Sequence, residues 1–122
     1  MDGAMRRVLL VEDDPIILRS TAETLAGGGF EVLEASGYDE ALAFLASGPQ
    51  PSLLVTDIDL AGAPDGLALA RSAAARSPEM RIVLVSGQVR PAGGEYPERA
   101  IFFTKPYPPG ALLTILEDVE AW

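Results

Sequence analysis

The segment Leu53–Leu60, with the sequence LLVTDIDL, decides the fold of this chain. It begins as an unbroken run of strand-forming residues and then reaches a carboxylate at Asp57. A run that is apolar on both faces is typical of a strand in a parallel sheet that helices cover on both sides. An unpaired carboxylate beside such a core is costly. Asp57 therefore marks the point where a buried strand reaches a polar site.

Two other apolar runs end in charged residues in the same way. Val8–Val11 leads into the acidic run Glu12–Asp14, and Ile101–Thr104 leads into Lys105, the only lysine among nine basic residues. Ligands of open parallel sheets bind at the carboxyl ends of the strands. The acids and the lysine are therefore expected to meet at one edge of the sheet. Together they predict a site that binds a cation and handles phosphate.

The composition limits the possible functions. The 122 residues suffice for one domain with a core and are too few for two. The chain has no cysteine and no histidine. This excludes disulfides, thiol catalysis, the usual zinc sites and serine–histidine catalysis. The net charge of −9, without a basic stripe, argues against direct binding of nucleic acid.

The chain is expected to be a single cytoplasmic domain over residues 1–122. No apolar run approaches the roughly 20 residues needed to span a bilayer, and no signal peptide is evident, so we expect no membrane insertion. Residues 1–5 are expected to form a loose leader. No effector domain is expected after the last helix.

Apolar runs alternate with segments of helical periodicity. The runs predict five strands, at 6–11, 30–35, 52–56, 81–85 and 100–104. Alternation of strands with helices predicts a parallel sheet with right-handed crossovers. The fold class is therefore α/β, with a doubly wound sheet in the order 2-1-3-4-5 that places the first and third strands side by side.

Capping residues predict where the helices begin. Asp14 should cap the first helix, which runs to about Ala26. Its residues at helical spacing, which should share one face, are Ile17, Leu18, Thr21, Ala22 and Leu25. Ser36 should cap the second helix, with Asp39 in a capping-box position. The third helix opens at Asp65-Gly66 and the last at Pro108-Pro109.

The segment 87–99 interrupts this rhythm. It holds three glycines and two prolines, and each proline costs about 3 kcal/mol in a helix interior. We therefore expect the helix between the fourth and fifth strands to be short or missing.

The clustered carboxylates predict a Mg²⁺ site. Neighbouring carboxylates repel each other, and a hard dication with oxygen ligands relieves the repulsion. Asp13 and Asp57 are the expected direct ligands, with Glu12 acting through water and Asp59 contributing its main-chain carbonyl. An Asp57 oxygen that remains available can attack a phosphoryl group.

Two further residues would bind the phosphoryl oxygens. Lys105 follows the fifth strand and supplies an ammonium group, and Ser86 follows the fourth strand and supplies a hydroxyl. Phosphoryl transfer depends mainly on positioning and on neutralising charge, which these groups supply.

With these residues in place, the chain resembles the receiver domain of bacterial two-component response regulators. The flavodoxin-like fold of that family, in its single-domain CheY-like form, matches the predicted sheet. Five motifs carry the resemblance, in the right order and over essentially the whole chain: VLLVEDDP at 8–15, VTDIDL at 55–60, DG at 65–66, VLVSG at 83–87 and TKPY at 104–107.

The resemblance implies roles for individual residues. Asp57 corresponds to the aspartate that accepts a phosphoryl group, and Glu12 and Asp13 to the Mg²⁺-binding acids. Ser86 corresponds to the switch hydroxyl, and Phe102 to the aromatic residue whose rotamer follows it. Family members usually have a cis peptide bond after the residue equivalent to Lys105, here to Pro106.

The implied function is signalling rather than enzymatic turnover. The chain would take its phosphoryl group from a histidine kinase or a phosphotransfer protein and then switch its binding to a downstream protein target. Its chemistry would be limited to self-phosphorylation and autodephosphorylation.

Two alternatives remain open. The unusual 87–99 segment also suits a pseudo-receiver that binds partners without phosphorylation. Asp59, two residues after the expected acceptor, also suits a Mg²⁺-dependent phosphohydrolase with an aspartyl-phosphate intermediate.

Overall fold

A computed structural model describes residues 6–48, 50–60, 65–87, 97 and 99–118 of the chain. These residues form five strands, β1 Arg7–Val11, β2 Glu31–Ala35, β3 Leu53–Asp57, β4 Arg81–Ser86 and β5 Ile101–Thr104. They also form four helices, α1 Pro15–Gly27, α2 Tyr38–Ser47, α3 Gly66–Arg76 and α4 Pro109–Glu117. Each predicted strand is confirmed to within one residue at either end.

The strands form one parallel sheet in the order β2-β1-β3-β4-β5, as predicted. β1 lies between β2 and β3, and the register pairs Val11 of β1 with Thr56 of β3. The residues that follow β1 therefore lie beside the end of β3. The chain order of strands reverses here, so the switch point of the sheet coincides with the predicted acidic site.

Helices cover both faces of the sheet, which explains why its central strands are apolar on both sides. Helices α2 and α3 pack on one face through Leu45 and Leu69, together with Leu9, Leu54 and other alternate strand residues. Helices α1 and α4 pack on the other face through Leu25 and Leu112. All five residues of β3 are buried, including Asp57.

Helix α1 begins as predicted, but its buried stripe is narrower than the face predicted by helical spacing. Asp14 Oδ1 accepts hydrogen bonds from the backbone N–H groups of Ile16 and Ile17, at 2.9 and 3.2 Å. The stripe consists of Ala22 and Leu25. Ile17, which has the same helical spacing, is 40% exposed, and Ile16 is 79% exposed.

The predicted cap of α2 is also wrong. Gly37, not Ser36, is the N-cap, and it makes no side-chain capping bond. Ser36 instead donates to Glu40 Oε1 through its backbone N–H, at 2.6 Å, and through its hydroxyl, at 3.1 Å. Glu40, and not Asp39, is therefore the acid that bonds back to the start of the helix, because the helix begins one residue later than the sequence suggested.

Several expectations fall on residues that the structure does not describe. They include the leader at 1–5 and nearly all of the segment 87–99, where a short or missing helix was expected. Among the described residues, every helix is too short or too polar to cross a membrane.

Candidate functional site

Lys105 and two carboxylates form the centre of the site. Lys105 Nζ lies 2.8 Å from Asp57 Oδ2 and 3.1 Å from Glu12 Oε1. The side chains of Asp57 and Glu12 are 7% and 8% exposed, and that of Lys105 is 27% exposed. Three residues that end or follow β3, β1 and β5 thus meet at the switch point of the sheet.

Asp13 completes an acidic cluster with the same two carboxylates. One carboxylate oxygen from each of Glu12, Asp13 and Asp57 can be chosen so that all lie within 4.8 Å of one another. Asp13 is exposed, so it lies on the side of the cluster that faces solvent. Three carboxylates this close form an all-oxygen donor set that fits a hard dication such as Mg²⁺.

Burial and mutual contacts shift the pKa values of Glu12 and Lys105 within the cluster. Burial raises the pKa of Glu12, and the charge of Asp57 adds to this, although hydrogen bonds from the Asp14 backbone and from Lys105 oppose the rise. Burial would lower the pKa of Lys105, but its hydrogen bonds to Asp57 and Glu12 outweigh this, and the pKa lies above its usual value. The lysine stays charged, yet one ammonium group does not neutralise three carboxylates.

The backbone around Asp57 fixes its carboxylate. Oδ1 accepts a hydrogen bond from the backbone N–H of Asp59 at 3.2 Å, while Oδ2 faces Lys105. Thr56 is fully buried and donates its hydroxyl to the Asp57 carbonyl at 3.0 Å. Both carboxylate oxygens therefore have defined positions within the cluster.

Gly66 packs directly against this backbone. A Cβ added at Gly66 would overlap the carbonyl oxygen of Asp57, and the Gly66 N–H donates to the Ile58 carbonyl at 2.9 Å. Asp65 Oδ1 accepts from the Ala68 N–H at 3.1 Å and caps α3. The sequence identified Asp65-Gly66 as a turn and a cap and missed this close approach. A glycine directly after a capping acid was the available signal.

A family model for the response regulator receiver domain matches residues 8–117. The chain belongs to this family. The match spans every strand of the sheet and all the residues of the acidic cluster. The family membership predicted from the sequence is therefore confirmed, and with it a place in two-component signalling.

Known relatives agree with this assignment. The chain is similar to the transcriptional regulatory protein AruR of Pseudomonas aeruginosa, at 40% identity over 86 residues. That match covers 67% of this chain and 34% of AruR, so the chain spans about a third of this relative.

Solved structures of receiver domains have the same fold. A response regulator receiver protein from Sinorhizobium medicae WSM419 is 31% identical with a TM-score of 0.85, covering 95% of this chain and 94% of that one. A CheY-like receiver domain from Methanospirillum hungatei JF-1 is 28% identical with a TM-score of 0.81, covering 94% and 93%.

The two residues expected to act as a switch, Ser86 and Phe102, differ in how deeply they are buried. Ser86 is 2% exposed at the end of β4, and its carbonyl accepts a hydrogen bond from the Lys105 N–H at 2.8 Å. Phe102 lies opposite Leu84 in the β4–β5 register and is half-buried against the α2 and α3 core. Their switch roles stay predictions.

Tyr107 lies at the rim of the core beside the site. Its ring packs edge-on against Phe103, with centroids 5.3 Å apart, and burial raises its pKa.

The Lys105–Pro106 peptide bond is cis, as the family resemblance implies. A cavity of about 280 Å³ between this loop and α1 is lined by Lys105, Tyr107 and the exposed Ile17, among others.

Proposed function

We propose that this receiver domain accepts a phosphoryl group on Asp57. The contact that carries the proposal is Lys105 Nζ to Asp57 Oδ2, at 2.8 Å, within a cluster of three carboxylates. A buried lysine–carboxylate pair contributes little net stability. A role in chemistry explains better why the chain retains this pair.

The transfer would be a displacement at phosphorus. An Asp57 carboxylate oxygen forms a bond to phosphorus, and the bond between phosphorus and the donor's leaving atom breaks, so the electron pair stays with the donor. The Lys105 ammonium and the Ser86 hydroxyl bind the phosphoryl oxygens and offset their charge. The backbone N–H of Asp59 holds the second oxygen of Asp57 during attack.

Mg²⁺ fits the site as the cofactor of this transfer. Asp13 and Asp57 would be direct ligands, Glu12 would bind through water, and the Asp59 main-chain carbonyl would add a further oxygen. The carboxylates of Glu12, Asp13 and Asp57 support this fit, because one oxygen from each lies within 4.8 Å of the others. The bound ion would neutralise charge on the carboxylates and on the phosphoryl oxygens.

Phosphorylation would act as a switch for partner binding. The Ser86 hydroxyl would move toward the phosphoryl group, and Phe102, two residues before the end of β5, would change its rotamer in response. A ligand shifts such an equilibrium only by its differential affinity for the two states. A downstream protein target would read the phosphorylated state.

Helix α1 offers a contact surface for the phosphodonor. The donor would be a histidine kinase or a phosphotransfer protein in the cytoplasm. Ile16 is 79% exposed, and it lies three residues after Asp13 of the acidic cluster. A protein that delivers its phosphoryl group to Asp57 would cover Ile16 and Ile17, and burying their apolar surface would favour the encounter.

Ile16→Ser separates this contact from the chemistry. We expect slower phosphorylation by a protein donor, because apolar contact is lost, and an unchanged rate with acetyl phosphate, which needs no docking surface. Both rates are measured on the same variant, so each serves as the control for the other. Equal slowing with both donors would contradict the docking role.

Intact mass after incubation with acetyl phosphate tests the proposed function. Wild type should gain one phosphoryl group when Mg²⁺ is present and none when it is removed with a chelator. Asp57→Asn should gain none under either condition. No gain in wild type, with Mg²⁺ binding demonstrated separately, would contradict the proposal and favour a receiver that binds partners without phosphorylation.

A further inference from the structure

The amino end of the sheet carries a second polar cavity, at the opposite edge from Asp57. It has a volume of about 500 Å³ and is lined by Arg6, Ser52, Leu53, Glu79, Arg81 and Arg99. Among the described residues, three arginines and one glutamate line this cavity. The cavity is therefore locally positive in a chain whose net charge is −9.

Side-chain alternation explains why two of the three arginines, Arg6 and Arg81, gather there. Residues two apart on a strand point to the same face of a sheet. Each arginine lies two residues before one that packs in the core on the α1 and α4 face, in the pairs Arg6 and Val8, Arg81 and Val83, and Arg99 and Ile101. Arg81, the first residue of β4, and Arg6, directly before β1, therefore lie on that face, and Arg99, in the turn before β5, lines the same cavity.

Backbone hydrogen bonds hold this edge in place. The Arg81 N–H donates to the Ser52 carbonyl at 3.1 Å, and the Ser52 N–H donates to the Arg7 carbonyl at 3.0 Å. The starts of β1, β3 and β4 are thus tied together. The cavity is lined by the first residues of β3 and β4, Leu53 and Arg81, and by residues that precede strands.

Within the described part of the chain, two of the guanidinium groups each donate a hydrogen bond to a backbone carbonyl. Arg6 Nη1 donates to the Leu116 carbonyl at 3.0 Å, and its guanidinium carbon lies 4.8 Å from the centre of the Phe30 ring. Arg99 Nη1 donates to the Pro78 carbonyl at 3.3 Å. A guanidinium group has five N–H donors, so both anchored groups retain donors for a ligand.

We propose that this cavity binds a small molecule that carries a phosphate group. The planar guanidinium fork matches the oxygens of a phosphate in two-point contacts. Arginines outnumber acids among the described residues that line the cavity, and a dianionic phosphate would complement them. The volume lies within the range of small-molecule sites, about 300–1,000 Å³. Such a ligand would bind independently of Asp57.

A titration with inorganic phosphate tests the site directly. It is performed on the whole chain without Mg²⁺, at constant ionic strength set with chloride, and followed by backbone amide chemical shifts. We expect saturable shifts at Ser52, Leu53 and Arg81. Loss of one charge-assisted contact in Arg81→Gln or Arg99→Gln should weaken binding about tenfold.

Arg19→Gln is the matched control. It removes the same charge from the exposed face of α1, where Arg19 pairs with Glu34, and it should leave the phosphate affinity unchanged. Arg99→Gln keeps the test valid if Arg81→Gln disturbs β4, because Arg99 precedes β5. Non-saturable shifts, shifts centred on Asp57, or equal weakening by Arg19→Gln would each overturn the proposal.

Discussion

The two ends of the sheet carry opposite charges and hold them in different ways. At the carboxyl end, one lysine lies between two carboxylates that are less than a tenth exposed. At the amino end, Arg7 pairs with Glu31 across side chains that are 32% and 42% exposed. The number of charges is similar, but their burial differs. Buried charge, more than net charge, therefore distinguishes the proposed phosphorylation site from the amino end of the sheet.

The largest expected difference between the two ends is in the free energy of unfolding lost when a glycine is replaced by alanine. Gly66→Ala should lower the free energy of unfolding by about 3 kcal/mol, because its Cβ would overlap the Asp57 carbonyl. Gly29, at the amino end, has a φ of 97° and open space around it, so Gly29→Ala should cost only about 1 kcal/mol.

Urea denaturation measures both costs. Gly110→Ala, in an open position of α4, is the control and should stabilise the protein by up to about 1 kcal/mol through helix propensity. Equal costs for Gly66→Ala and Gly29→Ala would show that the carboxyl end is no more crowded than the amino end.

Removing Lys105 should affect Mg²⁺ binding and phosphorylation in opposite directions. Lys105→Met should slow phosphorylation by acetyl phosphate about a hundredfold, because the developing charge loses its partner. It should also raise the affinity for Mg²⁺, since a competing cation is lost from the cluster. Rates are followed by intact mass and affinity by calorimetry. Arg7→Met, at the other end, should change neither quantity.

Magnesium should stabilise the protein only through the acidic cluster. Added Mg²⁺ binds the folded state and should raise the Tm of wild type. Asp13→Asn should lose this rise, and without Mg²⁺ its Tm should equal or exceed that of wild type, because repulsion in the cluster is relieved. Asp39→Asn, in the first turn of α2, should respond as wild type does. A full Mg²⁺ response in Asp13→Asn would remove Asp13 from the site.

The smallest effect is expected at the exposed pair of the amino end. Glu31→Gln should lower the free energy of unfolding by less than about 1 kcal/mol, because solvent screens the Arg7–Glu31 pair. The difference should shrink further at high salt. Denaturation at two salt concentrations measures both values. A larger, salt-independent loss would mean that the two ends hold their ion pairs alike.

The sheet and the acidic cluster were predictable because they follow from strong, repeated patterns. The apolar runs predicted the strands to within a residue, and those of β1, β3 and β4 are the most deeply buried. The strand order then brought Glu12 and Asp13 beside Asp57, as the structure places them. The lysine after β5 belonged to the same pattern, since each of these charges follows or ends an apolar strand.

Two kinds of feature were not predicted: those that depend on a shift of one residue, and those that depend on a contact between separate segments. The Ser36 cap failed because α2 begins one residue later and Glu40 replaces Asp39 as the returning acid. The exposure of Ile17 did not follow from its helical spacing, because only a narrow stripe of α1 is buried. Gly66 was missed because its close neighbour, the Asp57 carbonyl, is distant in sequence.

The site of phosphorylation is the central claim, and borohydride reduction tests it most directly. Sodium borohydride reduces an aspartyl phosphate to homoserine, and peptide mass mapping then locates the modified residue. After treatment with acetyl phosphate and Mg²⁺, the account predicts homoserine at position 57 and at no other acid of the cluster. Homoserine at Asp13 or Asp59 instead, or its absence from every peptide, would contradict it.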